Sequence, residues 1–405
     1  MLGSLSWKNI WRNKLRSSTV ITAVALGVFV GIFMIAFMNG MVDARLNAII
    51  HTEISSVQIH NPEFLANSDF SRRIPNADEV AQRVSSVNHV TGVSKRLVIS
   101  SMIASAEVNT GVKILGVTPD IERKVTNICD KMIEGSYFKS NKKNAIVIGK
   151  KLAEKLKVGL GKKVVITLQD ANLNITGGAF RVVGIYETDN NMFDESTVFT
   201  PYNDLCALAG LDTTEAHEIA IAVDKDSNSE IVRTVIKFDF PELDIQDWTQ
   251  LSPEAGYLIS IMNQYLFIFI LIIMLALCFG IINTMLMAVL ERVKELGMLM
   301  AIGMNKIRIF FMLMLETLYL SITGGFIGII CGYFLCKYLE KAGLDLYFWK
   351  EAYTSFGYSS LIYPKIELYM IVYTALMVVL TGILSTLYPA YKALKVNPAD
   401  ATRIK

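Results

Sequence analysis

The sequence predicts a membrane α-helical protein with four transmembrane helices and a large extracytoplasmic α+β domain between helices 1 and 2. Apolar residues make up 52% of the 405 residues and charged residues 19%, whereas an average soluble protein carries roughly 25% charged residues. The apolar residues are concentrated in four runs long enough to cross a bilayer, which takes ~20 residues. The net charge of +2 gives no indication of a nucleic-acid partner.

The four apolar runs define the predicted spans 1 to 4, at residues 17–42, 257–290, 309–336 and 368–391. Span 3 contains one acidic residue, Glu316, about two helical turns from its start. A carboxylate at that depth is costly in lipid and is usually paired or functional. Because Glu316 is also close enough to one membrane face to reach water, its role stays open at this point.

The orientation of the spans follows from the basic residues that flank them. Basic clusters lie before span 1, between spans 2 and 3, and after span 4, whereas the loop 337–367 carries four lysines. We therefore predict that both termini and the segment 291–308 are cytoplasmic and that the loop 337–367 lies outside. The clusters consist of Lys8, Arg12, Lys14 and Arg16, then Arg292, Lys294, Lys306 and Arg308, and finally Lys392, Lys395, Arg403 and Lys405 in the tail 392–405.

Residues 1–16 are predicted to form an interfacial elbow helix that lies flat on the membrane before span 1. Trp7 and Trp11 are one helical turn apart, and tryptophan favours the membrane–water interface. Span 1 is predicted to be an uncleaved anchor, because its apolar run exceeds the roughly 7–15 residues of a signal peptide. Ala23, Gly27 and Gly31 recur every four residues within it and predict a helix-packing face.

Residues 43–256 form the predicted extracytoplasmic domain, in which short alternating runs are separated by turn residues such as Asn141. Residues 43–54 are predicted to extend span 1 as a stalk. The start of the uncharged run 255–290 is predicted to form a second stalk, with a loop before a helix starting at Tyr265 as the alternative. Helices are predicted at 78–87 and 150–157, and strands at 56–60, 112–117, 145–148, 164–168, 180–186 and 218–223.

The cytoplasmic segment 291–308 opens with a short amphipathic stretch, residues 291–303. Its charges fall at Glu291, Arg292, Lys294 and Glu295, and apolar residues recur after them at helical spacing. A segment of this kind between two spans can dock a soluble partner and pass its movement into both spans. The alternative is a connector that rests on the lipid headgroups, as basic amphipathic segments often do.

The pattern Glu-x-x-x-Glu-x-Gly-x-Leu-x-Ala-x-Gly in this stretch resembles the coupling segment of FtsX-like ABC-transporter permeases, the MacB and LolC/LolE group. In that family the segment contacts a separate ATPase subunit. Within the group the resemblance is closest to the lipoprotein-releasing LolC/LolE-type permeases. The tail 388–401 resembles the family's closing motif well, residues 7–16 resemble its N-terminus, and the matches at 57–64 and 146–185 are weaker. The resemblance implies that an ATPase is coupled through Glu291, Arg292, Lys294, Glu295, Gly297, Leu299, Ala301 and Gly303.

The resemblance also implies a permease subunit of the bacterial inner membrane that works by mechanotransmission and has no enzymatic activity of its own. The sequence has no Gly-x-x-x-x-Gly-Lys-Ser/Thr phosphate loop, so ATP and Mg²⁺ are expected on a partner ABC ATPase. The other expected partners are a second permease chain, membrane lipids, a lipoprotein substrate and a periplasmic acceptor. Two alternatives stay open, namely a MacB-like efflux permease for drugs or peptides and an FtsX-like signalling permease that controls a cell-wall hydrolase.

A lipoprotein leaving the outer leaflet needs an apolar surface for its acyl chains. The outer half of span 1 and the start of span 2 offer phenylalanine, leucine, isoleucine and methionine, and methionine adapts to irregular apolar shapes. Packing within a permease dimer is the alternative role for the same residues. The candidates are Phe33, Phe37, Met38, Met41, Leu258, Ile261 and Met262.

The sequence predicts neither a catalytic site nor a metal site. The histidines His51, His60, His89 and His217 are scattered without metal-ligand spacing. Cys129 and Cys206 both lie in the extracytoplasmic domain and could pair, but their spacing alone does not establish a disulfide.

Overall fold

The computed structural model describes residues 2–67, 70–138 and 143–395. The chain forms two compact units. The membrane unit comprises residues 1–42, 259–345 and 361–405, and the external unit comprises residues 43–258 and 346–360. The predicted turn residue Asn141 and the predicted tail beyond residue 395 lie outside the described residues.

Four helices in the described parts of the chain are long and apolar enough to cross a membrane, which confirms the four predicted spans. The helix of span 1 continues into a π-helical turn at Ile49–Glu53, as predicted for the first stalk. The helix of span 2 begins at Pro253, so the alternative of a loop before Tyr265 is wrong. The helices are Leu2–Arg12 for the elbow, and Lys14–Ala48, Pro253–Glu291, Lys306–Ala342 and Leu368–Leu394 for the spans.

Span 3 packs closely against span 1 because glycines line the contact. A Cβ atom at Gly324 would lie 2.8 Å from the carbonyl oxygen of Ile21, and one at Gly328 would lie 2.5 Å from the carbonyl oxygen of Ala25. Such backbone-to-backbone proximity is possible only with small residues at the interface. Any larger side chain at these two positions must push the helices apart.

The predicted small-residue face of span 1 is confirmed in part, and its partner is span 2. A Cβ atom at Gly27 would lie 2.6 Å from the side chain of Leu277, and one at Gly31 would lie 3.8 Å from that of Ile273. Ala23 is exposed and does not belong to the packed face. Two of the three predicted residues therefore set the contact between spans 1 and 2.

The outer end of the membrane unit is closed by backbone contacts. Leu344–Asp345 and Leu361–Ile362 form a two-stranded antiparallel ribbon between spans 3 and 4. The amide of Lys365 then donates to the carbonyl of Ala36 at 3.0 Å. A Cβ atom at Gly40 would collide with the carbonyl of Tyr363, so the chain leading into span 4 lies directly on span 1.

The external unit is built around a mixed sheet with ten strands among the described residues. Nine strands follow the order β10-β1-β9-β2-β3-β8-β5-β7-β4, and β6 pairs with β2 and β7. The β3–β8 and β5–β7 pairs are parallel, whereas the other pairs are antiparallel. The strands are β1 (Val57–His60), β2 (Val90–Ala104), β3 (Asn109–Val117), β4 (Met132–Gly135), β5 (Ala145–Gly149), β6 (Lys163–Gln169), β7 (Ile175–Tyr186), β8 (Thr197–Pro201), β9 (Glu218–Val223) and β10 (Asp244–Asp247).

Helices cover this sheet and complete its apolar cores. The two predicted helices are confirmed as Ala77–Ser85 and Lys150–Leu156. Cys206 is buried in one core cluster and Cys129 packs beside another, and both thiols are free. The remaining helices are Phe64–Asn67, Pro119–Glu122, Ile128–Lys131, Asn191–Ser196, Tyr202–Ala209, Asp226–Asn228, Ser229–Asp239, Trp248–Leu251, Tyr347–Trp349 and Lys350–Ser355.

The six predicted strands are confirmed, but β2, β4, β8 and β10 were not predicted. The long strand β2 carries Ser94, Lys95 and Arg96 in a row, which obscures its alternating pattern. Arg96 is nevertheless 2% exposed, because its guanidinium contacts Glu122 at 2.6 Å and Glu218 at 2.7 Å. A buried ion pair between elements thus takes the place of an apolar side chain in this strand.

Arg96 and Glu218 of this buried cluster stay ionised. Burial acts to lower the pKa of Arg96, but the charges of Glu122 and Glu218 outweigh it, so the pKa is raised. Burial likewise acts to raise the pKa of Glu218, and Arg96 and His60 outweigh it, so the pKa falls to about 2. In the register of the sheet, His60 faces Glu218 across β1 and β9, and Glu218 faces Arg96 across β9 and β2.

Candidate coupling site

The segment 291–308 contains a separate short helix, Val293–Ala301, as the amphipathic pattern predicts. Arg292 leaves the helical conformation with φ −106° and ψ 14°, so the chain bends where span 2 ends. The helix ends at Ala301, and Gly303 follows with a φ of +99°, which favours glycine. The side chain of Asn305 then accepts a hydrogen bond from the amide of Ile307 at 3.1 Å and caps span 3.

One side of this short helix packs on the membrane unit. Leu296 is 3% exposed, and Gly297 is buried beside it. Their cluster combines residues of spans 2, 3 and 4, namely Val289, Ile309, Met312, Leu313, Ala390 and Ala393. The helix therefore cannot shift without moving the ends of spans 2, 3 and 4 against which it packs.

The other side of the short helix is open. Met298 is 53% exposed and Ile302 is 85% exposed, and Ile307 at the start of span 3 is 61% exposed. A group of exposed apolar side chains is typical of an interaction site. We take the surface formed by Met298, Ile302 and Ile307, with its charged neighbours Glu291 and Lys294, as the docking face.

The structure divides the eight predicted coupling residues between these two sides. Glu291, Lys294, Ala301 and Gly303 are exposed, Glu295 and Leu299 are half-buried, and Arg292 and Gly297 are buried. Gly297 is buried, so a bulky substitution there disturbs internal packing. No atom lies within 4 Å of a Cβ added at Gly303, so the positive φ is the structural reason for a glycine at this position.

Glu316 is fully buried and is paired with two arginines. Arg292 places Nη1 at 3.2 Å from both of its carboxylate oxygens, and Arg16 places Nη2 at 3.1 Å from Oε1. Arg292 also approaches the carbonyl of Asn9 at 3.5 Å. The carboxylate of span 3 thereby connects the end of span 2, the start of span 1 and the elbow helix. We call Glu316, Arg16 and Arg292 the buried triad.

A second layer of charges lies outside the triad. Arg12 donates to both oxygens of Glu295, and Arg16 approaches Glu291 at 3.9 Å. The hydrogen bond from Arg12 lowers the pKa of Glu295, so this carboxylate stays ionised at neutral pH. Because both side chains of this pair are about half exposed, the pair contributes little to stability.

The two arginines from the elbow region were missed as site residues by the sequence analysis, which counted Arg12 and Arg16 only as orientation signals. Glu316 was the sequence signal that could have identified them, because an acid inside a span is usually paired with a cation at the same depth. The basic cluster directly before span 1 could supply that cation. Which of its four members does so depends on how the elbow helix packs.

The elbow helix is fixed by this site and by span 3. The hydroxyl of Ser6 donates to the carbonyl of Met312 at 3.1 Å. Trp7 packs edge-on against Tyr319, with ring centroids 5.7 Å apart, and is still 44% exposed. One face of the elbow helix thus packs on span 3, while part of the Trp7 and Trp11 side chains stays exposed.

The seven predicted acyl-contact residues differ in their exposure and do not all belong to the same unit. Phe33 and Phe37 stack on each other at 6.1 Å, and Met262 is 8% exposed while Ile261 is 44% exposed. Leu258 belongs to the external unit. Their role in substrate contact stays a prediction.

Apolar cavities do occur in the membrane unit, along span 2. They have volumes of about 40, 280 and 290 Å³ and share Ile270 in their linings. Span 1 contributes Gly27, Gly31 and Ile35, and span 4 contributes Met377 and Tyr373. None of the seven predicted residues lines these three cavities.

The family of the chain follows from two sequence matches. Residues 17–237 match the MacB-like periplasmic core domain, and residues 267–398 match the FtsX-like permease C-terminal domain. The chain belongs to the FtsX-like ABC-transporter permeases of the MacB and LolC/LolE group. The predicted fold class is thereby confirmed, with a MacB-like α+β domain between spans 1 and 2.

Relatives of this FtsX-like permease include proteins of similar length. It is 24% identical to the lipoprotein-releasing system transmembrane protein LolC of Neisseria meningitidis serogroup B over 320 residues, 75% of each chain. It is 22% identical to LolE of Haemophilus influenzae over 349 residues, 80% of this chain and 82% of LolE. A 125-residue match to the macrolide export ATP-binding/permease protein MacB of Chlorobium luteolum, 32% identical, covers 31% of this chain and 16% of MacB.

Two solved structures resemble part of the permease. The extracellular domain of the transporter YknZ from Gram-positive bacteria has a TM-score of 0.34 and 18% identity, covering 47% of this chain and 99% of that chain. The periplasmic region of MacB from Actinobacillus actinomycetemcomitans has a TM-score of 0.36 and 14% identity, covering 52% of this chain and 95% of that chain.

Proposed function

We propose that this FtsX-like permease is the membrane subunit of an ABC transporter that releases lipoproteins from the bacterial inner membrane toward the outer membrane. A separate ABC ATPase binds ATP and Mg²⁺ and docks on the coupling site. A second permease chain, identical or homologous, completes the complex in the lipid bilayer. Both termini lie in the cytoplasm, and a periplasmic acceptor takes over the released lipoprotein.

The observation that carries this proposal is the uninterrupted helix Pro253–Glu291, which ends at the coupling site. Its 39 residues correspond to ~58 Å at 1.5 Å per residue. The hydrocarbon core of a bilayer is ~30 Å thick, so part of this helix stands outside it as a stalk. Movement imposed by the ATPase on the short helix can therefore travel along one rigid element, which is the basis of mechanotransmission.

The buried triad supports the same mechanism at the cytoplasmic end. Arg292 stands at the bend between span 2 and the short helix, and its carboxylate partner Glu316 also binds Arg16 at the start of span 1. Spans 1 and 2 are the helices that lead into the two stalks. A displacement of the docking face is thereby transmitted to both stalks at once.

An acyl chain as cargo is supported by the apolar cavities beside span 2. Two of them have volumes of about 280 and 290 Å³, close to the ~300 Å³ lower end of small-molecule sites. We assign the acyl chains to these cavities, with Phe33, Phe37, Met38, Met41, Leu258, Ile261 and Met262 as the proposed outer contacts.

The test is reconstitution of the permease with its partner ATPase in nanodiscs that contain a triacylated lipoprotein. We expect the lipoprotein to stimulate ATP hydrolysis and to pass to a soluble acceptor when ATP is added. A non-acylated form of the same protein is the control and should do neither. ATP-independent transfer, or equal stimulation by the non-acylated control, would contradict the proposal.

Efflux of a drug or peptide is the second candidate function, and the 32% match to a macrolide exporter favours it. The same nanodiscs distinguish the two candidates, because a macrolide would then stimulate ATP hydrolysis where the lipoprotein does not. The apolar cavities suit either cargo, so the decision depends on this comparison.

A further inference from the structure

Three consecutive aromatic residues are exposed on the loop between spans 3 and 4. Tyr347 is 74%, Phe348 is 88% and Trp349 is 59% exposed. They form one helical turn that leads into the helix Lys350–Ser355, after which Phe356 is 78% exposed. An apolar group of this size on an ordered segment marks a contact surface.

The loop is ordered, so these aromatic side chains project from a fixed base. The amide of Leu346 donates to the carbonyl of Ser360 at 2.8 Å, which closes the loop. Thr354, which is 4% exposed, donates to the carbonyl of Lys350 at 3.0 Å. The amide of Tyr358 donates to the carbonyl of Tyr353 at 2.9 Å and turns the chain back.

The loop is also attached to the sheet domain of the external unit. Lys350 donates to Glu187 at 3.1 Å, and Lys150 binds the same carboxylate oxygen at 3.1 Å. A Cβ atom at Gly357 would lie 2.9 Å from the guanidinium carbon of Arg45, so backbone and guanidinium are in direct contact there. The aromatic turn is therefore carried by the external unit while its chain ends enter spans.

Chain length keeps the aromatic turn close to the membrane. The helix of span 3 ends at Ala342, five residues before Tyr347, and five extended residues reach at most about 18 Å. Tyr338 near the end of span 3 and Tyr369 at the start of span 4 are 69% and 63% exposed. Tyrosines at span ends are typical of the headgroup region, and the aromatic turn follows directly after this level.

We propose that the turn Tyr347–Trp349 is a lipid-contacting foot of the external unit that inserts into the headgroup region of the outer leaflet. Tryptophan and tyrosine prefer that region because the ring is buried while the N–H or O–H group stays hydrated. Phe348 between them supplies a purely apolar side chain for the acyl boundary. The contact of Lys350 with Glu187 joins this foot to the sheet domain of the external unit.

The test uses Trp349 as the sole tryptophan of the full chain, with Trp7→Phe, Trp11→Phe and Trp248→Phe. The protein is placed in nanodiscs of phosphatidylethanolamine and phosphatidylglycerol, with lipids brominated either near the headgroup or near the chain end. The matched control carries Trp349→Phe and Phe238→Trp, because Phe238 is 88% exposed on a helix of the sheet domain. It calibrates the response of an exposed aromatic residue to aqueous iodide.

We expect Trp349 to be quenched more strongly by bromine near the headgroup than by bromine near the chain end, and less by iodide than the control. Quenching by iodide to the level of the control, without bromolipid quenching, would overturn the proposal because the foot would be in water. Protection from both quenchers would also overturn it, because a protein partner would then cover the turn.

Discussion

The guanidinium of Arg292 binds both oxygens of Glu316, although 24 residues and the whole short helix separate them in the chain. The carboxylate is fully buried and Arg292 is 8% exposed. Burying such charges is costly unless each is paired. The pair therefore holds the two spans on either side of the docking face in one relative position, and Arg16 adds span 1 to the same joint.

Replacing Glu316 with glutamine should destabilise the permease by about 3–5 kcal/mol, because Arg16 and Arg292 would be left buried without a counter-charge. Thermal unfolding of the detergent-solubilised protein measures this effect. The control is Glu295→Gln, whose exposed pair with Arg12 contributes ~0.2–1 kcal/mol. Equal effects of the two substitutions would show that the triad does not stabilise the joint.

Replacing Ile302 with glutamate should weaken binding of the partner ATPase without affecting folding, because Ile302 is 85% exposed on the docking face. Co-purification of the ATPase measures binding. The matched control is Ile175→Glu, which adds the same charge at a residue of the external unit that is 83% exposed. If both variants retain the ATPase equally, the docking face lies elsewhere.

Reversing the charge at Glu295 should uncouple ATP hydrolysis from transport while the complex still assembles. Glu295→Lys would place a third cation beside Arg12 and Arg292, both of which contact Glu295. The ratio of ATP hydrolysed to lipoprotein released is the measurement. Gly297→Leu serves as the comparison for damage to internal packing, and it should lower thermal stability as well. Unchanged coupling in Glu295→Lys would remove Glu295 from the proposed coupling residues.

Cysteine labelling should place the external unit and the coupling site on opposite sides of the membrane. In a chain whose five native cysteines are replaced, Asp130→Cys should react with an impermeant maleimide in spheroplasts, and Met300→Cys should react only after lysis. Asp130 is exposed and Met300 is half-buried, so the labelling of position 300 is judged against its own labelling after lysis. Labelling of position 300 before lysis would reverse the proposed orientation.

Alanine at Gly328 should destabilise the membrane unit, because its Cβ would lie 2.5 Å from the carbonyl oxygen of Ala25 in span 1. Gly280→Ala in span 2 is the control, since no atom lies within 4 Å of the added Cβ. A helix gains ~1 kcal/mol from a Gly→Ala change in its interior, so the control should be neutral or slightly stabilising. The difference in melting temperature between the two variants reports the close contact of spans 1 and 3.

The stability of the external unit should also depend on pH through Asp194. Burial raises the pKa of Asp194 to about 6 against the hydrogen bonds from Thr188. A raised carboxyl pKa means that the stabilising contribution is present at low pH and is lost as the pH rises through about 6. Asp194→Asn should therefore be more stable relative to the native protein at pH ~7.5 than at pH ~5. A difference in melting temperature that does not change with pH would contradict this assignment.

Most of the membrane unit could be predicted from the sequence because the bilayer imposes a one-dimensional rule. A span needs ~20 apolar residues with its backbone hydrogen bonds satisfied within one helix. Hydropathy therefore predicted the four spans, and the charges at their ends predicted the orientation. The short helix Val293–Ala301 was predictable for a related reason, since its apolar residues repeat at the helical period and Gly303 follows them.

The tertiary structure alone decided which charges meet. Arg16 and Glu316 are 300 residues apart in sequence, and their pairing depends on how the elbow helix packs against span 3. Strand β2 was hidden from the sequence pattern because Arg96 is buried by Glu122 and Glu218, which come from other elements. The attachment of the loop 346–360 was likewise not predictable from the sequence, because it depends on the contact of Lys350 with Glu187 in a distant part of the chain. Local periodicity determines where helices form, whereas partners for buried charges exist only once the chain has folded.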